Sequence, residues 1–146
     1  MRIAIASDHA GFEQKQALVD YLAQDLGCDV TDFGPDTDDR VDYPDYAEKV
    51  AHAVASGDAD RGVLVCGTGI GMALAADKVP GVRASSITRP DFADLFRRHN
   101  DGNVVCLSGR FVEPEVNREI VKVFLETGFE GGRHADRVGK VMRLDA

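Results

Sequence analysis

The stretch that most constrains this chain is Val63-Leu64-Val65-Cys66, an apolar run that breaks directly into Gly67-Thr68-Gly69-Ile70-Gly71. A short run with no polar alternation suits a strand covered on both faces, as in parallel sheets, and Met72-Ala73-Leu74-Ala75-Ala76 then reads as the helix that follows. The glycines therefore sit at a strand-to-helix crossing, where open α/β sheets bind ligands. Three glycines at alternate positions let backbone N–H groups come close to a ligand, and the helix N-terminus aims its positive end at the same spot, so an anion is welcome there. Cys66 is the last residue before that turn. A thiol facing such donors ionises more readily than a free one and can serve as base or nucleophile. A buried structural cysteine beside an ordinary crossover gives the same local pattern.

The rest of the chain repeats the strand-then-helix theme. Arg2-Ile3-Ala4-Ile5-Ala6-Ser7 is a short apolar strand, closed by Asp8-His9-Ala10-Gly11 before a helix with Leu18, Val19, Leu22 and Leu26 on one face. Gly27 ends that helix, residues 28–33 give a second strand, and 34–45 form an acidic, solvated loop containing Tyr43-Pro44. Pro44 opens a helix that turns Tyr46, Val50 and Val54 inward. After the central strand, residues 81–87 supply a fourth. Next comes a helix from Pro90 with Phe92, Leu95, Phe96 and His99 at i, i+3, i+4 and i+7, which puts His99 on the core face. Residues 104–107 give a fifth strand ending in Ser108-Gly109-Arg110, and Pro114 opens a helix with Val116, Ile120, Val123 and Phe124 as its stripe. A glycine-rich break at 128–132 precedes Arg133-His134-Ala135-Asp136-Arg137 and a last amphipathic helix with Val138, Val141 and Met142. Five strands alternating with helices, with no repeat or linker, predict one domain over 1–146. Its fold class is α/β, a three-layer α/β/α sandwich around a five-stranded parallel, Rossmann-like doubly wound sheet.

Composition removes several function classes. The formal charge is −8, with much of the acid between residues 29 and 45, which argues against nucleic acid or an anionic membrane as partner. No stretch approaches the roughly 20 apolar residues of a membrane span and no signal-like segment opens the chain, so a soluble cytoplasmic protein is expected. Cys28, Cys66 and Cys106 are odd in number and widely spaced, which suits free thiols rather than disulfides or a paired-cysteine zinc site.

Several residues carry two readings. Asp8 stands where a helix N-cap or a ligand contact would, and Tyr43 can lean over a pocket or pack against the next helix, the one Pro44 opens. His99 is a core histidine or a functional one. Arg133 and Arg137, four apart and so on one helical face, are a solvated pair or an anion clamp.

Taken together, Ser7-Asp8-His9-Ala10-Gly11, Asp42-Tyr43-Pro44, Cys66-Gly67-Thr68-Gly69-Ile70-Gly71, Arg98-His99-Asn100-Asp101, Ser108-Gly109-Arg110 and Glu130-Gly131-Gly132-Arg133-His134 make the chain resemble the type B ribose-5-phosphate isomerases. That family also holds allose- and galactose-6-phosphate isomerases. The resemblance implies an aldose-ketose isomerase of the pentose phosphate pathway, with Cys66 as general base and the turn Gly67, Thr68, Gly69, Ile70 and Gly71 as anion hole. It implies His99 as the acid/base that opens the sugar ring, and Asp8, His9, Tyr43, Asn100 and Arg110 as substrate contacts. Arg133 and Arg137 are implied to hold the phosphate from a second subunit of a homodimer, some members pairing into tetramers; no metal or organic cofactor is implied. A branch of the family carries a glutamate where this chain has Met72, so the resemblance is to the cysteine branch.

The implied chemistry suits these residue types. Moving a carbonyl between C1 and C2 needs a base facing carbon and preformed donors facing the oxygen that becomes negative. An imidazole suits ring opening near neutral pH. Two rivals remain: a module that binds sugar phosphate without chemistry, which would need no base, and a dinucleotide-binding domain, whose Gly-x-Gly-x-x-Gly follows the first strand instead.

Overall fold

The computed structural model describes residues 1–145. Its strands are β1 (Arg2–Ser7), β2 (Asp29–Asp32), β3 (Arg61–Cys66), β4 (Ala84–Ser86) and β5 (Val104–Ser108), all parallel, in the order β2-β1-β3-β5-β4. The helices are α1 (Phe12–Asp20), α2 (Tyr43–Ala55), α3 (Ile70–Ala76), α4 (Pro90–Asn100), α5 (Pro114–Glu126) and α6 (Arg133–Met142). The three-layer parallel architecture is therefore as expected.

Period-two alternation along the strands divides the core in two. Ala4, Ala6, Leu64, Cys66, Val104 and Cys106 pack toward α2 and α3, while Ile3, Ile5, Val63, Val65, Val105 and Leu107 pack toward α1, α4 and α5. Each buried Val, Leu or Ile stabilises the fold by about 1.5–3 kcal/mol, so the central strand is where the sheet is held most firmly. The chain leaves β1 toward one edge of the sheet and leaves β3 toward the other. The crevice beyond the C-terminal ends of β1 and β3 is thus a topological switch point.

Three details differ from the sequence reading. The strands at the sheet edges are shorter than the apolar runs that contain them, β4 keeping three residues of the run 81–87, because only those pair with β5. The acidic loop is not solvated throughout: Gly34 and Pro35 are buried, and Lys15, itself fully buried on α1, holds them by donating to Pro35 O (3.0 Å) and to both carboxylate oxygens of Asp32 (2.8 and 3.0 Å). The third difference concerns α4. Phe92 and Leu95 are exposed, whereas Ala93, Phe96 and Arg97 are buried, so the core face lies one position away from the predicted stripe. His99 is consequently not a core residue; its side chain is 42% exposed. Arg97 can take a core position because its guanidinium donates to Thr127 O, Gly102 O and Asp101 Oδ1 (3.0, 2.7 and 2.9 Å).

Candidate active site

The glycine turn at the end of β3 is shaped by its neighbours on β5. The amides of Gly109 and Arg110 donate to the carbonyls of Cys66 and Gly67 (2.8 and 3.2 Å), and Ser108 Oγ donates to Gly67 O (2.7 Å) while accepting from Phe111 N (3.0 Å). Gly69 has φ of 84°, and a Cβ there would stand 3.0 Å from Cys106 O, so only glycine reverses the chain at this point without strain. That reversal brings the Gly69 N–H within 3.1 Å of Cys66 Sγ. Cys66 is 5% exposed, seated at the switch point with a backbone donor aimed at its sulfur. The other two thiols give up their protons less readily than a free thiol: burial pushes Cys28 up, and burial first, then the neighbouring Cys66 and Asp77, pushes Cys106 well above the ordinary thiol range.

The turn is less open as an anion hole than its sequence suggests. The Gly69 amide is engaged by sulfur and the Ile70 amide by Thr68 Oγ1 (3.2 Å). Thr68, exposed at the tip, accepts that bond and keeps its own O–H free to donate outward. Tyr43 is the first residue of α2 and lies against α3: a Cβ on Gly71 would fall 2.7 Å from its ring. The ring packs on α3, where the sequence reading places it on the helix that Pro44 opens, and it stays 39% exposed beside the turn.

Three more predicted residues stand at the same end. Asp8 is buried and its Oδ1 accepts from Gly11 N (3.0 Å), which closes the turn before α1; the N-cap of that helix is Gly11, not Asp8. His9 Nδ1 accepts from Val41 N (3.3 Å), which leaves the ring proton on Nε2 as an outward donor. Arg110 reaches over Gly67, its guanidinium 3.4 Å from where a Cβ would stand, and shares with His9 a cleft of about 350 Å³.

His99, Asn100, Arg133 and Arg137 lie at the opposite end. α4 runs antiparallel to the strands, so its C-terminus returns to the edge where β5 begins, and Asp101 (φ 49°) turns the chain there with Arg83 donating to its carbonyl (2.7 Å). One five-residue strand, about 16 Å at 3.3 Å per residue, separates this end from Cys66. His99 stacks on His134 with ring centroids 4.3 Å apart and planes 12° from parallel. The Glu130 carboxylate lies between ion-pair partners, 4.0 Å from His99 Nε2 and 3.8 Å from His134 Nε2. His99, Asn100, His134 and Arg137 line a second cleft of about 730 Å³ between α4, α6 and β4. Burial, then the charge of His99, holds His134 below the usual imidazole range, with Arg133 and Arg137 adding to the effect against Glu130.

His99, Glu130 and His134 are close enough to invite a metal-ion reading, with ligand atoms within 4.8 Å of one another. The rings do not fit it. Imidazole lone pairs lie in the ring plane, and two nearly parallel planes give no common point for an ion.

Sequence reasoning assigned no role to Glu130 or His134, although both fall in a segment it singled out. The available signal was spacing: Glu130 and His134 are four apart across the start of α6, and so able to share one face.

A doubly wound α/β protein with a thiol under backbone donors at its switch point and a separate arginine-imidazole cluster belongs to a class built for small anionic substrates. Comparison with known proteins narrows the class. Residues 3–141 match the model of a family described as Ribose/Galactose Isomerase. A curated relative, the probable ribose-5-phosphate isomerase B of Mycoplasma pneumoniae, is 46% identical over 98% of this chain and 94% of its own. A solved Clostridium thermocellum ribose-5-phosphate isomerase B superposes with a TM-score of 0.96 at 46% identity, covering 99% of this chain and 97% of that one. The Mycoplasma genitalium ribose-5-phosphate isomerase B, solved with bound ribulose-5-phosphate, gives 0.92 at 44% identity over 97% and 94%. The chain belongs to the ribose/galactose isomerase family.

Proposed function

We propose that this chain is an aldose-ketose isomerase interconverting ribose 5-phosphate and ribulose 5-phosphate through an enediolate. The observation that carries the reading is Cys66, a thiol at the switch point with the Gly69 amide 3.1 Å from its sulfur. A module that only holds phosphate would need arginines and glycines but no base. The relatives named above, one of them solved with ribulose-5-phosphate, support the choice of sugar.

In the aldose-to-ketose direction, the Cys66 thiolate takes the proton from C2. The C–H electron pair forms the C1–C2 double bond, and the carbonyl electrons move onto O1. The Thr68 hydroxyl and the unengaged turn amides face that oxygen, and removing such a donor typically costs about 2.7–4 kcal/mol in the barrier. The thiol then returns the proton to C1 while the hydroxyl proton passes from O2 to O1, leaving a ketone at C2. His9 and Arg110 orient the sugar from their shared cleft.

Ring opening needs an acid/base near the ring oxygen, and His99 is suited to it. His99 stands a full strand length from the Cys66 of its own chain, as do Asn100, Arg133 and Arg137, so the complete site combines two copies in a homodimer. Exposed apolar residues on the helices that such a dimer would cover support this: Ile70 and Leu74 on α3, Phe92 and Leu95 on α4, and Val141 on α6. The phosphate of a substrate seated at Cys66 then meets the arginines of the second copy, a local positive patch that the net charge of −8 makes necessary.

The test compares kcat/KM for ribose 5-phosphate, allose 6-phosphate and galactose 6-phosphate in the native chain and in Cys66→Ala. The native chain is expected to prefer the pentose, and Cys66→Ala to lose turnover of all three. A six-carbon preference would change the substrate but keep the mechanism. Activity of Cys66→Ala within tenfold of native would remove Cys66 as base.

A further inference from the structure

The His99–His134 stack needs an explanation that neither ring provides. Two imidazoles face to face at 4.3 Å gain little from contact and repel as soon as both are charged. The groups around them carry both signs, and Arg83 is paired with Asp101 (3.4 Å). Arg133 and Arg137 come from α6, Arg98 is the residue before His99, and Arg83 lines the far wall of the cleft with Asp77 and Asp145. Arg98 is engaged by Asp94, its Nε 2.9 Å from the carboxylate. Glu130 is the carboxylate beside both rings, one oxygen 4.0 Å from His99 Nε2 and the other 3.8 Å from His134 Nε2, ion-pair rather than hydrogen-bond distances. Its backbone is not free to wander, because Glu130 N donates to Arg98 O (3.0 Å), tying the loop before α6 to the last turn of α4.

We propose that Glu130 is a positioning residue for the reaction: its carboxylate bridges the His99 and His134 rings and holds His99 in the orientation from which it serves the sugar ring oxygen. His134 is the other half of the clamp. It is 6% exposed, so its ring is a fixed wall against which the more exposed His99 lies, beside the carboxylate. The inference rests on the ring-opening role given to His99 above. Glu130 touches no reacting atom in this scheme and acts through His99 alone.

The test uses the full-length chain with Glu130→Gln, which keeps shape and removes charge at a side chain that is 53% exposed. Two readouts separate clamp from chemistry. Without substrate, NMR of the histidine rings is expected to show weaker His99–His134 ring NOEs in Glu130→Gln and a His134 titration moved to lower pH, since the one raising influence is gone. Unchanged NOEs with an unmoved His134 titration would overturn the clamp. With substrate, kcat/KM for ribose 5-phosphate is expected to fall about tenfold, the scale of a slightly misplaced catalytic group. Erythrose 4-phosphate, whose phosphorylated O4 cannot close a furanose, is expected to lose less than about twofold. Equal losses on both substrates would overturn a role through ring opening. His99→Asn distinguishes the two ideas: if it too lowers both substrates equally, the ring-opening reading of His99 fails, while the NMR result still decides whether Glu130 holds the pair.

Discussion

The two ends of the sheet are built by different means. At the C-terminal end, Cys66 and its turn hang from a central strand buried on both sides, and the donors around the sulfur are backbone groups fixed by β3 and β5 pairing. At the N-terminal end, His99, His134 and Glu130 are side chains on a helix terminus, a loop and the lightly packed α6, whose only buried residue is His134. Backbone geometry suits the group proposed to face a carbon with little latitude. Side chains on an exposed rim suit groups proposed to meet a substrate held by a second copy. The contrast teaches that half of the candidate site is preformed and the other half is addressed outward.

The largest effect should come from setting the two ends against each other in one dimer. Cys66→Ala alone is expected to lose about 10²–10⁴-fold in kcat, the usual worth of a general base. His99→Asn, and Arg133→Ala with Arg137→Ala, should each be defective as homodimers. Mixing Cys66→Ala with the double arginine variant under subunit exchange is expected to restore one working site per heterodimer, and so is mixing it with His99→Asn. Heterodimers verified by native mass spectrometry that stay inactive would put both ends in one chain's site and break the comparison.

A smaller effect should follow at the preformed end. Gly71→Ala puts a methyl 2.7 Å from the Tyr43 ring, which must swing away from the turn. KM for ribose 5-phosphate is expected to rise about fivefold with kcat less affected, as for a displaced substrate contact. A crystal structure with Tyr43 unmoved, or kcat falling while KM holds, would show that the ring does not position substrate.

The smallest concerns the rim. Because His134 is held below the usual imidazole range, the folded chain binds its proton less readily than the unfolded one. Stability contributed by neutral His134 is present above the unfolded value, about 6.5, and is lost as pH falls through the lower folded value. Melting temperature should therefore decline through that window, and His134→Asn should flatten the decline. A slope unchanged by the substitution would assign it to other groups.

Much of this was legible in the sequence, for physical reasons that also mark where legibility stopped. The β3 run and its glycines identify themselves because a strand covered on both faces tolerates no polar residue and the reversal at Gly69 tolerates no Cβ. The face of α4 was misread because Phe92 and Leu95 carry the apolar signal of a core stripe while exposed, and Arg97 takes the core position by satisfying its donors on carbonyls distant in sequence. Lys15 hides in the same way, a cation in the interior whose Asp32 and Pro35 partners no local pattern reveals. The separation of Cys66 from His99 was implicit in the β-α alternation, which sends every helix C-terminus back to the starting edge. The engagement of the Gly69 and Ile70 amides depends on turn geometry that residue types do not specify.

The sheet's outer strands bear on how such molecules behave when crowded. β2 is four residues long and presents Asp29, Thr31 and Asp32 to solvent, and β4 is three residues long with two serines. Neither offers a flat, greasy border on which another chain could add a strand, so runaway edge-to-edge polymerisation is discouraged at both rims. The exposed large apolar side chains, among them Ile70, Leu74, Phe92, Phe111 and Leu144, stand on helices and turns, none of them on a strand.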